Sequence, residues 1–298
     1  MKIGIIDVGG GLRGIYAAGV LDYCLDHHIN FDLGIGVSAG AANLASFVSQ
    51  QEKRNYTFYK QYSQRPEYMS LHNFIHNGSY VDLDYVYDTL SHSNGEYPVD
   101  YETFKNNPMD LMIVATNGIT GLPAYFKKEN IHSDEYDAFK ASCAIPFVCK
   151  PYKVANLDYF DGALSDPIPI DKAFEWGCDK VIVVLTRPAN YIRDPKKDIL
   201  LSKFVQSTYP NAAEKLRGRA DLYNETLERC KRLQAEGKVL IIAPDNTCGM
   251  DTLTKDTAPM DEFYQMGYKD GEKVELFMNA NKEEPKLLIQ KISNILKR

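Results

Sequence analysis

The stretch LGIGVSAGAANLASFV, residues 33–48, joins a short apolar run to a segment with helical patterning through the turn GVSAG (36–40). This order predicts a strand, a tight turn and a helix. A serine at the tip of such a turn is held with its hydroxyl at the carboxyl end of the strand, and small flanking residues such as Gly36 and Gly40 let the strand and helix approach without a clash. The stretch therefore predicts an α/β fold with a presented nucleophile at Ser38.

Further short apolar runs rich in Ile and Val recur along the chain. None alternates strictly between apolar and polar residues, which is typical of strands buried on both faces of a parallel sheet. Helical patterns lie between these runs, so we predict a three-layer α/β/α fold with a mostly parallel central sheet. The runs are residues 3–8, 111–116, 181–186 and 239–244, and the helical patterns are residues 15–28, 41–51, 134–142 and 211–236.

The chain shows no internal repeat, low-complexity segment or linker rich in Pro, Gly or Ser, so we expect a single domain over residues 1–298. Residues 189–237 carry many Lys, Arg, Tyr and Asn and only sparse apolar residues at helical spacing. This composition predicts a helical insertion or cap over one end of the sheet. The expected parts are a core at about 1–188 and 238–245, this insertion at about 189–237, and C-terminal helices at about 259–298.

The final segment, PKLLIQKISNILKR (285–298), places its apolar residues on one helical face and carries basic residues without an acid. We expect it to pack on the sheet, with its cations near a helix C-terminus where the helix dipole favours them. A basic amphipathic helix can also lie on anionic lipid, and the sequence leaves this alternative open.

Composition excludes some classes of function. The chain has 298 residues, with 34 basic and 40 acidic side chains and a net charge of −6, and this balance offers no electrostatic footprint for nucleic acid. The start MKIGIIDVGGG lacks the long apolar region of a signal peptide, and no apolar stretch reaches the roughly 20 residues of a membrane span. The six cysteines contain no CxxC pair. We expect a cytoplasmic protein whose membrane contact, if any, is peripheral to the inner face; its oligomeric state stays open.

The second signal is GGGLRG (9–14), which ends the first apolar run and opens the first helical pattern. Consecutive glycines let backbone N–H groups converge on an anion, either a phosphate or a transient oxyanion. The same letters fit the GxGxxG fingerprint of dinucleotide sites, which expects an acid at the end of the second strand. Asp32 has about the right separation but begins that strand, which ends in Ser38. A nucleotide- or phosphate-binding module therefore stays open as an alternative.

A nucleophilic serine needs a base, and histidine is the usual one. All six histidines precede residue 133, whereas α/β-hydrolases place histidine after serine and acid. Asp110 and His132 satisfy that order formally, but His132 lies in a polar connection. His72 and His76 lack the Glu of an HExxH metal site. A histidine triad and a metal centre are both poorly supported.

The third signal is DGA (161–163), which follows LDYF (157–160). Taken alone, it predicts an ordinary Asp-Gly turn. Together with GGGLRG and GVSAG, in this order, it resembles the patatin-like phospholipase family, whose members use a Ser–Asp dyad without histidine. Residues 141–147 are also similar to the family, and Tyr209-Pro210 with the predicted helix Arg217 to Leu233 resembles its bacterial branch. The resemblance extends to about residue 245. The departures are Asp166, where many members have Asn, and Ala163 in place of a second Gly.

The resemblance implies a lipid acyl hydrolase, such as a phospholipase, lysophospholipase or esterase, that needs no metal or cofactor. Asp161 would take the proton of Ser38 as the serine attacks an ester carbonyl, and the glycine loop would receive the oxyanion. An acyltransferase using the same dyad stays open, as do the head group and chain length of the substrate. The implied site comprises the loop residues Gly9, Gly10, Gly11, Arg13 and Gly14 and the turn residues Gly36, Gly40, Gly162 and Ala163.

Overall fold

A computed structural model of the chain describes residues 1–279. The strands are β1 (Ile3–Asp7), β2 (Leu33–Val37), β3 (Asp110–Asn117), β4 (Pro123–Lys127), β5 (Tyr152–Val154), β6 (Leu157–Asp161), β7 (Lys180–Val184) and β8 (Val239–Ile242). The α-helices are α1 (Ile15–Asp26), α2 (Ala39–Val48), α3 (Arg54–Lys60), α4 (Leu71–Asn77), α5 (Tyr101–Asn106), α6 (Asp137–Cys143), α7 (Ile170–Trp176), α8 (Lys196–Val205), α9 (Pro210–Ala235), α10 (Thr257–Asp270) and α11 (Glu272–Asn279).

The strands form one mixed sheet in the order β5-β6-β3-β2-β1-β7-β8, with β4 also paired to β3. The pairs of β1 with β2 and β7, of β2 with β3, and of β7 with β8 are parallel. The pairs that involve β4, β5 and β6 are antiparallel. The predicted three-layer fold with a mostly parallel sheet is confirmed. The antiparallel strands are a feature that the apolar runs did not predict, because these strands are short and partly exposed.

One edge of β3 is shared by two strands. Strand β2 pairs with the first part of β3 and ends at the pair Val37 and Val114. Strand β4 pairs with the opposite edge of β3, so the antiparallel β6 must pair with the same edge as β2. Its pairing begins one residue beyond Val114, at Asp161 and Ala115. The end of β6 therefore meets the end of β2, at Ser38.

Both faces of the sheet are covered. Neighbouring residues of a strand point to opposite faces. Accordingly, Ile5 belongs to the core that α1, α2 and α10 complete, and Ile6 to the core beneath α7 and α9. Each strand of the parallel part is thus buried on both sides, which explains its continuous apolar run.

The segment predicted to lie over one end of the sheet contains α8 and α9. The C-terminal half of α9 packs on a face of the sheet, through Tyr223, Leu227 and Cys230. The proposed division of the chain into core, insertion and C-terminal helices stays a prediction, and the basic segment 285–298 lies outside the described residues. No helix within residues 1–279 is long and apolar enough to cross a membrane.

Helices α1 and α10 touch at two glycines. A Cβ added at Gly19 would lie 2.2 Å from the carbonyl oxygen of Tyr264, and one added at Gly267 would lie 1.9 Å from that of Tyr16. Only glycine permits this close contact between α1 and α10. The contact fixes α1, which begins directly after the glycine loop.

We predict that Gly267→Ala lowers the free energy of unfolding by about 1–3 kcal/mol, because the helices must separate to admit the methyl group. The measurement is the urea midpoint. Gly218→Ala is the matched control, since Gly218 is an exposed helical glycine with open space at its Cβ; this change should stabilise the protein by about 0.5–1 kcal/mol. Equal midpoints for the two variants would contradict the prediction.

Candidate active site

Ser38 forms a sharp turn between β2 and α2. Its backbone has φ 57° and ψ −134°, a conformation that non-glycine residues rarely adopt. A Cβ added at Gly36 would lie 2.3 Å from Ala41 Cα, and one added at Gly40 would lie 2.2 Å from Asp7 O. The flanking glycines are therefore required by the close approach of helix and strand.

Ser142 holds this turn in place. The backbone N–H of Ser38 donates to Ser142 Oγ over 2.9 Å, and Ser142 Oγ donates to the carbonyl of Val114 over 2.6 Å. Ser142 is fully buried at the end of α6. Its role was not predicted, and the only sequence signal was its place in the family-like segment 141–147.

Asp161 lies behind the serine, at the end of β6. Its side chain lies close enough to the Ser38 hydroxyl for that hydroxyl to act on its pKa, and its Oδ1 accepts the N–H of Ala163 over 2.8 Å. Asp161 is 1% exposed, and this burial raises the pKa of its carboxyl above the ordinary value. Gly162 permits the arrangement, because a Cβ there would lie 2.3 Å from Val114 O. The structure thus brings together two predicted residues that are far apart in sequence.

The glycine loop presents free amides. Gly9, Gly10 and Gly11 all have positive φ. The Gly9 N–H is already used, since it donates to Asp7 Oδ1 over 2.9 Å, and the Leu12 N–H donates to Thr252 O. Within residues 1–279, no acceptor hydrogen-bonds to the backbone N–H groups of Gly10 and Gly11. Gly11 lines the same cavity as Ser38. Of the five predicted loop residues, these two have amides available for an oxyanion.

Arg13 and Gly14 anchor the loop. Arg13 Nη1 donates to Asp251 Oδ1 over 2.8 Å and to Thr252 Oγ1 over 3.1 Å, and the carbonyl of Gly14 accepts from Asn43 Nδ2. Neither residue lines the cavity that contains Ser38. Their contacts fix the position of the loop.

Asp7 and Asn43 connect the loop to α2, and sequence patterns missed both. The Asp7 carboxylate is fully buried and accepts from Gly9 N–H and from Asn43 Nδ2. Burial raises the pKa of Asp7 to about 6. The only signal was position, because Asp7 ends the first apolar run.

Several other candidates lie elsewhere. None of the six histidines lines the cavity of Ser38; His72 stacks on His76, and His92 pairs with Asp88. Asp166 accepts a hydrogen bond from Tyr125, and burial raises the pKa of Asp166 to about 6. Within the described part of the chain, no group of three His, Cys, Asp or Glu side chains could hold a metal ion.

The acid considered for a dinucleotide site lies at the wrong end of its strand. Asp32 Oδ2 accepts the N–H of Ile3 over 2.7 Å, at the start of β2 and away from the glycine loop. A ribose bound beside the loop would therefore be out of its reach.

The cavity beside Ser38 has a volume of about 100 Å³. Its walls are mostly apolar and come from α2, α3, the segment 68–91 and the segment 143–149. Representative wall residues are Leu12, Phe58, Met69, Val86, Ile145 and Val148. Such a cavity suits an acyl chain rather than a polar ligand.

Comparisons with known proteins agree with this geometry. A family model described as "Patatin-like phospholipase" matches residues 8–174, a range that includes all three sequence signals, and the predicted resemblance is thereby confirmed. A model described as "Domain of unknown function (DUF6363)" matches residues 209–278.

Two individual proteins are also similar. The chain is 30% identical over 202 residues to the "Uncharacterized protein YjjU" of Escherichia coli strain K12, covering 65% of this chain and 55% of that protein. The chain thus spans about half the length of this curated relative. The solved structure of VipD from Legionella pneumophila is similar with a TM-score of 0.46 and 12% identity, covering 91% of this chain and 66% of that one.

The backbone at Ser38 generates a stability prediction. We expect Ser38→Gly to be more stable than Ser38→Ala by about 1 kcal/mol, because glycine relieves roughly 1–3 kcal/mol of strain and loses about 0.5–1 kcal/mol to its greater freedom when unfolded. Both variants lack the hydroxyl, so the comparison isolates the backbone. The measurement is urea unfolding, and coincident curves would show that the turn stores no strain.

Proposed function

Because the chain belongs to the patatin-like phospholipase family, a family of lipid acyl hydrolases, we propose that it cleaves a fatty acyl ester with Ser38 as nucleophile and Asp161 as general base. One observation carries the proposal: a serine on a strained turn lies beside a buried carboxylate and acts on the pKa of that carboxylate. No histidine lines the cavity to compete for the role of base.

The residues act in two steps. Ser38 Oγ attacks the ester carbonyl while Asp161 takes its proton, and the negative charge on the carbonyl oxygen is received by the N–H groups of Gly10 and Gly11. Loss of one such donor costs about 10²–10³ in rate. The C–O bond then breaks, and the leaving alcohol takes the proton from Asp161. Water, deprotonated by Asp161, attacks the acyl-serine; Ser38 regains the proton and the fatty acid leaves.

The surroundings of Asp161 suit this task. A free aspartate is a weak base because its ordinary pKa is near 3.8. Burial raises that pKa, while the hydrogen bonds from Ser38 and Ala163 limit the increase. The Asp161 carboxylate is thus a stronger base than a free aspartate in water, and the Ser38 hydroxyl lies beside it to supply the proton.

An apolar rim of exposed side chains adjoins the wall segment 143–149 of the cavity, and we propose that it contacts a lipid surface. Phe147, which is 51% exposed, lies between two wall residues of the cavity. Its ring is 5.1 Å from that of Phe204 and 5.7 Å from that of Phe74. Leu71 and Ile75 of α4 are exposed beside Phe74. Such a contiguous apolar surface is characteristic of a membrane or partner site.

The dyad is tested by Ser38→Ala and Asp161→Asn. We expect each to lower kcat/KM for p-nitrophenyl butyrate by roughly 10⁴-fold, because the nucleophile or its base is lost. A fluorophosphonate should label Ser38 in the unmodified protein and give no labelled peptide in Ser38→Ala. The controls are Ser93→Ala and Asp194→Asn, which change exposed residues of the same types. Normal turnover by either dyad variant would refute the assignment.

The rim is tested by Ile75→Ser, with Ile119→Ser as its control. Ile75 is 75% exposed on the rim, and Ile119 is 57% exposed and outside the cavity walls. We expect the ratio of phosphatidylcholine-vesicle hydrolysis to p-nitrophenyl butyrate hydrolysis to fall about tenfold for Ile75→Ser only, because burial of an Ile side chain contributes about 1.5–3 kcal/mol. An equal fall in both variants, or in neither, would exclude the rim as the lipid contact.

A further inference from the structure

Arg54, the first residue of α3, carries a buried charge without a counter-charge. It is 5% exposed, and its guanidinium lies 4.5 Å from the ring centre of Phe58 and 5.5 Å from that of Tyr97. Nη1 donates to Ser46 Oγ, and Nη2 donates to Ser91 Oγ and to the carbonyl of Tyr97. All three acceptors are neutral. Nε has no hydrogen-bond partner in the described part of the chain.

The other buried cations among residues 1–279 have carboxylate partners. Arg13 pairs with Asp251, and Lys140 pairs with three aspartates. This is the general rule, because an unpaired buried charge loses its hydration without compensation. Among residues 1–279, Arg54 forms no ion pair, and burial lowers its pKa only to about 10, so the guanidinium is charged at neutral pH.

Arg54 also contributes to the wall of the candidate substrate cavity. Arg54 lines the cavity that contains Ser38, and it also lines a second void of about 20 Å³. The two share walls at Ala42, Tyr87 and Ser91. The second void has room for about one water molecule. Arg54 therefore lies where the two voids adjoin, in an otherwise largely apolar wall.

A buried network holds the guanidinium in place. Ser46 Oγ, which accepts from Arg54, donates to Asn55 Oδ1 over 2.7 Å, and Asn55 Nδ2 donates to the carbonyl of Asn43. Asn43 in turn donates to Asp7, the residue that fixes Gly9. The guanidinium of Arg54 and the glycine loop are thus connected by successive hydrogen bonds, and both have defined positions.

From these contacts we infer that Arg54 is a specificity-determining residue that binds a carboxylate at the far end of the acyl chain while Ser38 attacks the ester at the near end. The substrate class is an ester of a short dicarboxylic acid, or a lipid whose acyl chain ends in a carboxylate. This inference rests on the proposed hydrolase function. A terminal methyl group would leave the guanidinium without a counter-charge, whereas a carboxylate supplies one.

The first test uses the unmodified protein and three matched esters: mono-p-nitrophenyl adipate, its neutral methyl ester, and p-nitrophenyl hexanoate. We expect kcat/KM to be about 10–100-fold higher for the charged ester, as for a hydrogen bond to a charged group. A series from succinate to sebacate should show one sharp optimum in length, because both ends of the chain are held. Equal or faster cleavage of the neutral esters would overturn the inference and leave the hydrolase proposal intact. No cleavage of any ester, with no fluorophosphonate labelling, would overturn both.

The second test uses Arg54→Gln and Arg54→Lys. We expect Arg54→Gln to remove the preference for the charged ester, with most of the loss in KM, and Arg54→Lys to restore part of it, because a cation is retained. The control is Arg65→Gln: Arg65 also lies over a tyrosine ring, but it pairs with Glu96 and lies outside the cavity, so the preference should be unchanged. An equal loss for charged and neutral esters in Arg54→Gln would show that the residue only supports the fold.

Discussion

The geometry of the site depends on the shared edge of β3. Strand β2 leaves this edge after Val37, and β6 joins it at Asp161, which is the next position along the edge. The chain at Ser38 has to turn away sharply to make room for the incoming strand, and the strained backbone of the serine is the result. The same constraint explains the glycines at positions 36 and 162, where a side chain would collide with neighbouring backbone. The pairing of serine and carboxylate is thus a consequence of sheet topology rather than of a local motif.

Sequence patterns could predict the parts of this arrangement that are local. Ser38 was recognisable because a strand, a turn and a helix follow one another within a short stretch, and the parallel strands because burial on both faces requires continuous apolar runs. Asp161 was recognisable only through family resemblance. Its position depends on antiparallel pairing with Ala115, and its own neighbours in sequence describe an ordinary turn.

Residues that act through long-range burial left no such signal. Ser142 reaches Ser38 across 104 positions, and Arg54 reaches Ser91 across 37. Arg54 follows Glu52 and Lys53 in a polar stretch, so in sequence it resembles a solvated charge. Nothing in the spacing of such residues reveals that α3 turns this one side chain inward. The sequence likewise does not reveal that the Gly9 N–H donates to Asp7 and is therefore not free for the predicted oxyanion role.

Asp198 and Asp161 are both buried carboxylates, but they differ in how the protein compensates their charge. Burial acts to raise the pKa of Asp198, but its hydrogen bonds to Arg219 and Arg193 outweigh this effect and lower the pKa, so the group stays ionised and holds α8 to α9. Asp161 lies beside the Ser38 hydroxyl and accepts one backbone N–H, and burial keeps its pKa raised. A charge that the protein neutralises itself stabilises packing; a charge left partly uncompensated is available to a reacting proton or ligand. By that criterion Asp161 and Arg54 belong together, since each carries a charge that the fold alone does not satisfy: Asp161 lies beside Ser38, and Arg54 lines the cavity that contains Ser38.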